Sequence, residues 1–263
     1  MFTIRASSLS DLFSCPARWE AKHVKGMRLP RSGAAQLGTA IHASTGAYDA
    51  HRVAGDDITP DDAAEALVQA IHRPEDDVTW DEDMGKQSAE KIGLALHHRY
   101  CEDVAPHQEY VGVEVLCERL EITDLDIALT GTTDRVRRVN GGLGISDIKT
   151  GKTAVSADGT VKTAGHGLQM GVYELLAQAV TGLPITEPAQ IIGMQTGKTA
   201  VAQRVRSGLI SNARDVLLGY EDSPGMLHHA AKILREGLFY GNPRDQLCSP
   251  KYCPAHPVCR WRS

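Results

Sequence analysis

Apolar residues recur along this chain with two different periods, and the change from one to the other organises it. Up to about residue 106 the spacing is helical. Leu9, Leu12 and Phe13 form an apolar stripe within residues 7 to 25, behind a Ser/Asp-rich cap, and Pro16 is expected to break or restart that helix. A second helix is predicted from about Ala34 to Val53. Thr59-Pro60-Asp61-Asp62 puts a proline and two acids in a first helical turn, so a third helix runs through Ala63 to Ile71. Residues 84 to 101, rich in Ala, Leu and Lys, make a fourth. The acidic run between them, from Glu75 to Asp83, reads as a solvated linker. From Tyr110 the period falls to two: one strand runs to Ile122, a second spans Leu125 to Val139, and a third follows from Leu143 to Lys149. Asn140-Gly141-Gly142 between the last two supplies the positive φ angles of a tight hairpin turn. Beyond a polar loop at 153 to 165, expected to contact substrate, Gly167 to Ala179 returns to the helical period. Strands are predicted at 188 to 195 and 200 to 206, then a helical stretch at 211 to 238 interrupted near Ser223-Pro224-Gly225.

Such an order predicts an α/β fold, a central mixed sheet with helices on both sides. The expected organisation is an N-terminal helical segment over 1–54, a helical insertion over 55–106, a core sheet with its helix over 107–210, and a C-terminal helical segment and tail over 211–263. At 263 residues the chain can bury a substantial core, and 42% hydrophobic with 23% charged residues describes an ordinary globular protein. No apolar run approaches the ~20 residues that span a bilayer, and the N-terminus lacks the basic and apolar segments of a signal peptide. The expectation is a cytoplasmic protein with no membrane partner. A formal net charge of −5 does not advertise a nucleic-acid binder. Basic residues are nonetheless grouped: Arg135, Arg137 and Arg138 on one strand, then Lys149, Lys152 and Lys162.

Candidate chemistry gathers at the hairpin. Pairing of its strands brings Asp134 close to Asp147, and Asp147 and Lys149, at i and i+2, point to one side. Two carboxylates and an ammonium at a strand end suit a hard divalent cation, the acids holding the metal and the lysine orienting or helping to deprotonate a water. An isolated Asp-x-Lys is common by chance, as in a surface hairpin with a salt bridge; its surroundings set this one apart. Gly151-Lys152-Thr153 and Gly197-Lys198-Thr199 look like P-loop tails, but Ser146 and Ile192 stand where that motif needs its first glycine.

Asp134-Arg135 on one strand, Asp147-Ile148-Lys149-Thr150-Gly151 on the next and Gln169-x-x-x-Tyr173 on the following helix resemble, in type and order, the PD-(D/E)XK nuclease superfamily, and within it the RecB-like exonucleases. The resemblance implies a restriction-endonuclease-like core and a metal-dependent DNA exonuclease. His42, in Gly38-x-x-x-His42 on the second helix, would join Asp134, Asp147 and the carbonyl of Ile148 around Mg2+ or Mn2+. Lys149 would position the attacking water. Gln169 and Tyr173, at i and i+4 on one helix face, would approach the DNA backbone or that water. Glu114 is a further acid that either faces the site or is merely exposed.

The cysteines are lopsided in distribution. Cys15 is near the start, Cys101 and Cys117 are central, and Cys248, Cys253 and Cys259 crowd the last sixteen residues. The prolines among the last three preclude a helix or strand, so they read as ligands on a looped scaffold, and with Cys15 they make the four thiolates of a [4Fe-4S] cubane. One N-terminal and three C-terminal cysteines around such a core resemble the iron–sulfur branch of these exonucleases, which includes CRISPR adaptation nucleases and the nuclease domain of helicase–nuclease complexes. Zinc held by three of these cysteines with His256 or Cys15 is the competing reading. The expected partner is DNA, as single strands or duplex ends, with recombination or CRISPR adaptation proteins. A different class, a non-catalytic DNA-binding or adaptor subunit of a recombination or spacer-acquisition complex, is the alternative.

Overall fold

The computed structural model describes residues 1–262. Six strands form its main sheet: β1 (Phe2–Arg5), β2 (Glu109–Ile122), β3 (Ile127–Val139), β4 (Gly142–Gly151), β5 (Ala189–Gln195) and β6 (Val205–Ile210). Parallel and antiparallel pairings mix, and the centre is β3. One edge of β3 carries β2 along nearly its whole length. Its other edge is divided: β1 runs parallel to Ile127–Thr130, and β4 pairs antiparallel from Arg135 to Val139. Residues 131 to 134 fall in the gap between these two partners. β4 then pairs with β5 in parallel, and β6 closes the far edge antiparallel.

The local rules read from the sequence account for most elements. Asn140 and Gly141 take φ 51° and 82° in the hairpin turn, as a two-residue primed turn requires. Cys15 is extended between α1 (Leu9–Ser14) and α2 (Pro16–His23), so the proline restarts the helix at its first position. Ser32 accepts the Ala35 N–H and caps α3 (Gly33–Ala54). Thr59 and Asp62 form a reciprocal capping box on α4 (Pro60–His72). The remaining helices are α5 (Lys86–Asp103), α6 (Gly167–Thr181), α7 (Ala213–Leu218) and α8 (Met226–Glu236).

The sheet buries a separate core on each face. Leu143 and Ile145 of β4 pack with α1, α2, α6, α7 and α8, whereas Ile148 packs with α3, α4 and α5, as period-two alternation dictates. Two expectations shift. The strand placed at 200 to 206 runs instead from Val205 to Ile210, because Ala200–Ala202 form a 3-10 turn before it. β1 had no forecast: four residues carry too short a pattern, and its pairing with β3 is a contact across more than a hundred residues. Of the grouped arginines of β3, only Arg138 is exposed, paired with Glu109. Arg135 is fully buried against Asp49 at 2.7 Å, and the buried Arg137 donates to the Pro188 carbonyl. Among the described residues no helix is long and apolar enough to cross a membrane.

Candidate metal centre

Asp134 owes its availability to the gap in β3. The β3–β4 ladder is regular as far as Arg135 opposite Ser146. One step further the Asp134 carboxylate, not a backbone carbonyl, accepts the Ile148 N–H at 2.8 Å. His42 reaches the same point from α3: Nδ1 lies 3.3 Å from Asp134 Oδ2, and Nε2 lies 3.0 Å from the Ile148 carbonyl. The glycine one helical turn earlier permits this approach. A Cβ on Gly38 would stand 2.8 Å from Thr150 Oγ1, so the helix lies directly on the end of β4.

Glu114 completes the cluster. Val113 opposite Arg135 and Val115 opposite Thr133 bracket Glu114 and Asp134 as facing residues of the β2–β3 ladder. Like charges directly opposite repel unless a cation lies between them. Glu114 takes φ 49°, uncommon for a side chain with a Cβ, and Arg135 Nη1 holds its Oε1 at 3.2 Å. Single donor atoms of His42, Glu114 and Asp134 lie within 4.8 Å of one another, the one such trio of His, Cys, Asp or Glu among the described residues. The sequence left Glu114 undecided, and only the strand register decides where it faces.

Asp147 and Lys149 lie beside this trio. Lys149 Nζ pairs with the buried Asp147 Oδ2 at 2.5 Å. Burial, then the charge of Asp134, pushes the Asp147 carboxyl upward. Burial also opposes charge on Asp134, but His42, the Ile148 N–H and Lys149 together outweigh it and hold Asp134 low. For His42 burial again opposes the charge, and Asp134 overrides it, raising the imidazole to about 9. His42 thus bridges Asp134 and the Ile148 carbonyl, two groups that also suit a metal ion.

The donor set fits a hard divalent cation. It offers carboxylate oxygens, a backbone carbonyl and one imidazole, with the buried Asp147 carboxylate and its Lys149 partner alongside. Gln169 and Tyr173 line up on α6 as the spacing required, Gln169 Nε2 donating to the Tyr173 hydroxyl at 3.0 Å. Burial and the charges of Asp147 and Asp134 raise the phenol well above its ordinary range. Gly131 makes room for that ring: a Cβ there would meet Tyr173 Cε1 at 3.1 Å.

Cys15, Cys248, Cys253, Cys259 and His256 line one small cavity between α2 and the tail. The Asn242 N–H points at Cys15 Sγ, 3.4 Å away, and the Cys248 thiol is raised by burial and by Cys15, Cys253 and Cys259. No three ligand atoms of this group come within 4.8 Å of one another among the described residues. Cys101 and Cys117 are buried elsewhere, in the two hydrophobic cores. The histidines left unassigned pair locally, His51 with Asp56, His72 with Glu90 and His98 with Asp61, while His97 meets the Pro60 carbonyl.

A mixed sheet that presents an imidazole, three carboxylates and a lysine around one strand end defines a class of metal-dependent nuclease. The family model of the PD-(D/E)XK nuclease superfamily matches residues 3–260, and the chain belongs to that superfamily. Among solved structures, one described as "Crystal structure of SSO0001" is similar at 14% identity and a TM-score of 0.42, covering 100% of this chain and 88% of the other. Among curated proteins nothing matches.

Proposed function

We propose that this chain is a metal-dependent DNA exonuclease of the RecB-like iron–sulfur branch, acting on single strands or DNA ends. The observation that carries the catalytic part is the convergence of His42, Glu114 and Asp134 beside the Asp147–Lys149 pair. His42, Asp134, Asp147, Glu114 and the Ile148 carbonyl would hold Mg2+ or Mn2+. Bound there, the cation supplies positive charge for the phosphate and acidifies water. Lys149, half-open to solvent and anchored by Asp147, orients the attacking water and takes up the charge of the phosphate. Tyr173, kept protonated and fixed by Gln169, donates a hydrogen bond toward the strand.

For the cysteines we propose a [4Fe-4S] cluster on Cys15, Cys248, Cys253 and Cys259. Zinc draws its four sulfurs to roughly 3.8 Å of one another, from bonds of ~2.3 Å in tetrahedral geometry. A cluster interposes iron and sulfide and holds the thiolates further apart. Cys15 at the start of α2 and three cysteines of the tail line one cavity, and four thiolates match the ligand count of a cubane. Reduced thiols throughout suit a cytoplasmic protein working beside recombination, repair or CRISPR adaptation proteins.

The test is hydrolysis of an end-labelled strand. Wild type should degrade it with magnesium or manganese and stop with chelator. Asp134→Ala, Asp147→Ala and Lys149→Ala should each lower the rate by on the order of 10²-fold or more while the protein stays folded. Undiminished cleavage by Asp147→Ala would sink the site, and wild type that binds DNA without cutting it would favour the adaptor reading.

A further inference from the structure

Outside the carboxylate cluster, a groove of about 850 Å³ runs beside the N-terminal strand. Its basic lining comes from Arg5 at the end of β1, Lys22, His23 and Arg28 at and after the end of α2, and Lys251 of the cysteine tail, with Asp11, Thr130, Tyr252 and the start of α3 completing the walls. A second groove of about 390 Å³ shares Ser32, Ala35, Lys251 and Tyr252 with the first. Thr150, Gly151 and Lys152 line it, the residues that continue β4 directly from Asp147 and Lys149. The two grooves adjoin along these four shared residues, and the second reaches Thr150, one residue beyond Lys149.

The charges along this path are unequally answered. Asp11 neutralises Lys22 at 3.2 Å while also serving Arg18. Lys251 is held by Asp81 and Asp83, each at 3.4 Å, and Asp83 also reaches Lys152 at 3.7 Å. Among the described residues Arg28 donates only to the backbone carbonyls of Lys22 and Met27. Arg5, exposed at the strand end, has no carboxylate partner among the described residues. The potential is positive enough to register on a neighbour: partial burial, then Arg28 and Lys22, lowers the His23 imidazole. At the junction of the two grooves stands Tyr252, a ring 45% exposed with Lys251 Nζ 5.9 Å from its centroid.

Guanidinium groups without carboxylates seek phosphate, and an exposed ring in a basic groove seeks the face of an unpaired base. A base inside a duplex offers no such face. The exposed carboxylates on Lys251 and Lys152 are weakly held, so an entering phosphate displaces them at small cost.

We propose that this path is the single-strand channel of the protein, in which Arg5 and Arg28 contact phosphates and Tyr252 stacks on a base before the strand reaches Lys149. The proposal rests on the nuclease reading for its direction, but binding can be measured without chemistry. In chelator, a labelled short thymidine oligonucleotide is titrated with the holoprotein and followed by anisotropy at several salt concentrations. Arg5→Glu with Arg28→Glu should weaken binding at least about tenfold and flatten the salt dependence by roughly two phosphate contacts. Tyr252→Ala should weaken it roughly five- to a hundredfold. Arg5→Lys with Arg28→Lys, which keeps the charge, should retain most of the affinity and separates charge loss from misfolding. Unchanged affinity in the charge-reversed protein overturns the channel, and so does an equal loss for a blunt duplex. Binding that depends on these residues in a wild type that hydrolyses nothing would support the channel and sink the nuclease reading.

Discussion

Asp134 shows how much depends on one residue's surroundings. Its carboxylate accepts a backbone N–H, faces Glu114 across the ladder and touches His42. The folded imidazole titrates near 9 against 6.5 unperturbed, so the pair's contribution to stability is full below about 6.5 and is lost as pH rises through about 9. Metal binding has the opposite dependence, because a ligand nitrogen must first lose its proton. Calorimetric titration with manganese should therefore show affinity rising up to about pH 9, with proton release that His42→Ala abolishes. Glu114→Gln should weaken manganese binding by roughly ten- to a hundredfold, read in the same titration; an unchanged isotherm would remove Glu114 from the ligand set. Arg135 acts through others. Buried between Asp49 and Glu114, it is a positioning residue, and Asp49→Ala should cost about 3–5 kcal/mol in denaturant unfolding by leaving that guanidinium uncompensated.

Among the elements, α6 carries both the Gln169–Tyr173 pair and a buried acid of its own. Glu174 sits beside Tyr173 with its carboxyl pushed up by burial to about 7, a little relieved by Arg214. Between about 4.5 and 7 the folded chain keeps a proton that the unfolded chain has lost, so this group costs stability as pH rises through that window. Glu174→Gln should then leave the protein unaffected near pH 4.5 and stabilise it by on the order of 2–3 kcal/mol above pH 7. Thermal melts at both pH values would measure it, and equal shifts at the two would refute the buried-acid account. The same helix was placed correctly by period alone, whereas α3 needed Gly38 to come close enough for His42 to matter.

At the scale of the whole molecule, the two ends of the chain meet. Arg18 of α2 donates to Asp245 at 2.7 Å and to Asp11 at 3.0 Å, the Ala17 N–H reaches the Tyr240 carbonyl, and Trp19 stacks on Phe239. Four cysteines line the cavity at this junction. The cluster proposed there would link segments more than two hundred residues apart and remove much freedom from the unfolded chain. Anaerobically purified protein should be brown, with iron and sulfide near four each per chain. Cys15→Ser, or the same change at Cys248, Cys253 or Cys259, should bleach it and lower its melting temperature, while Cys117→Ser should leave the colour intact. Colourless protein with one zinc and no sulfide would refute the cluster without touching the Asp134 site. Because Lys251 and Tyr252 lie between two of these cysteines, the bleached variants should also bind single strands more weakly.

The sequence by itself determined what depends on neighbours a few residues apart. The Asn140-Gly141 turn, the Pro16 restart, the Thr59 cap, the period-two strands and the Gln169–Tyr173 spacing are local physics, and the order of the Asp134, Asp147–Lys149 and Gln169 motifs follows from them. The tertiary structure alone decided which of these residues meet. A four-residue strand at the N-terminus splits the edge of β3 and opens the gap at Asp134. Register across β2 brings Glu114 opposite that aspartate and makes Arg135, one of the grouped basic residues, a buried support. No pattern within a window of sequence encodes such pairings. They are fixed by strands finding partners across a hundred residues, where the gain is shared burial and the cost is chain entropy.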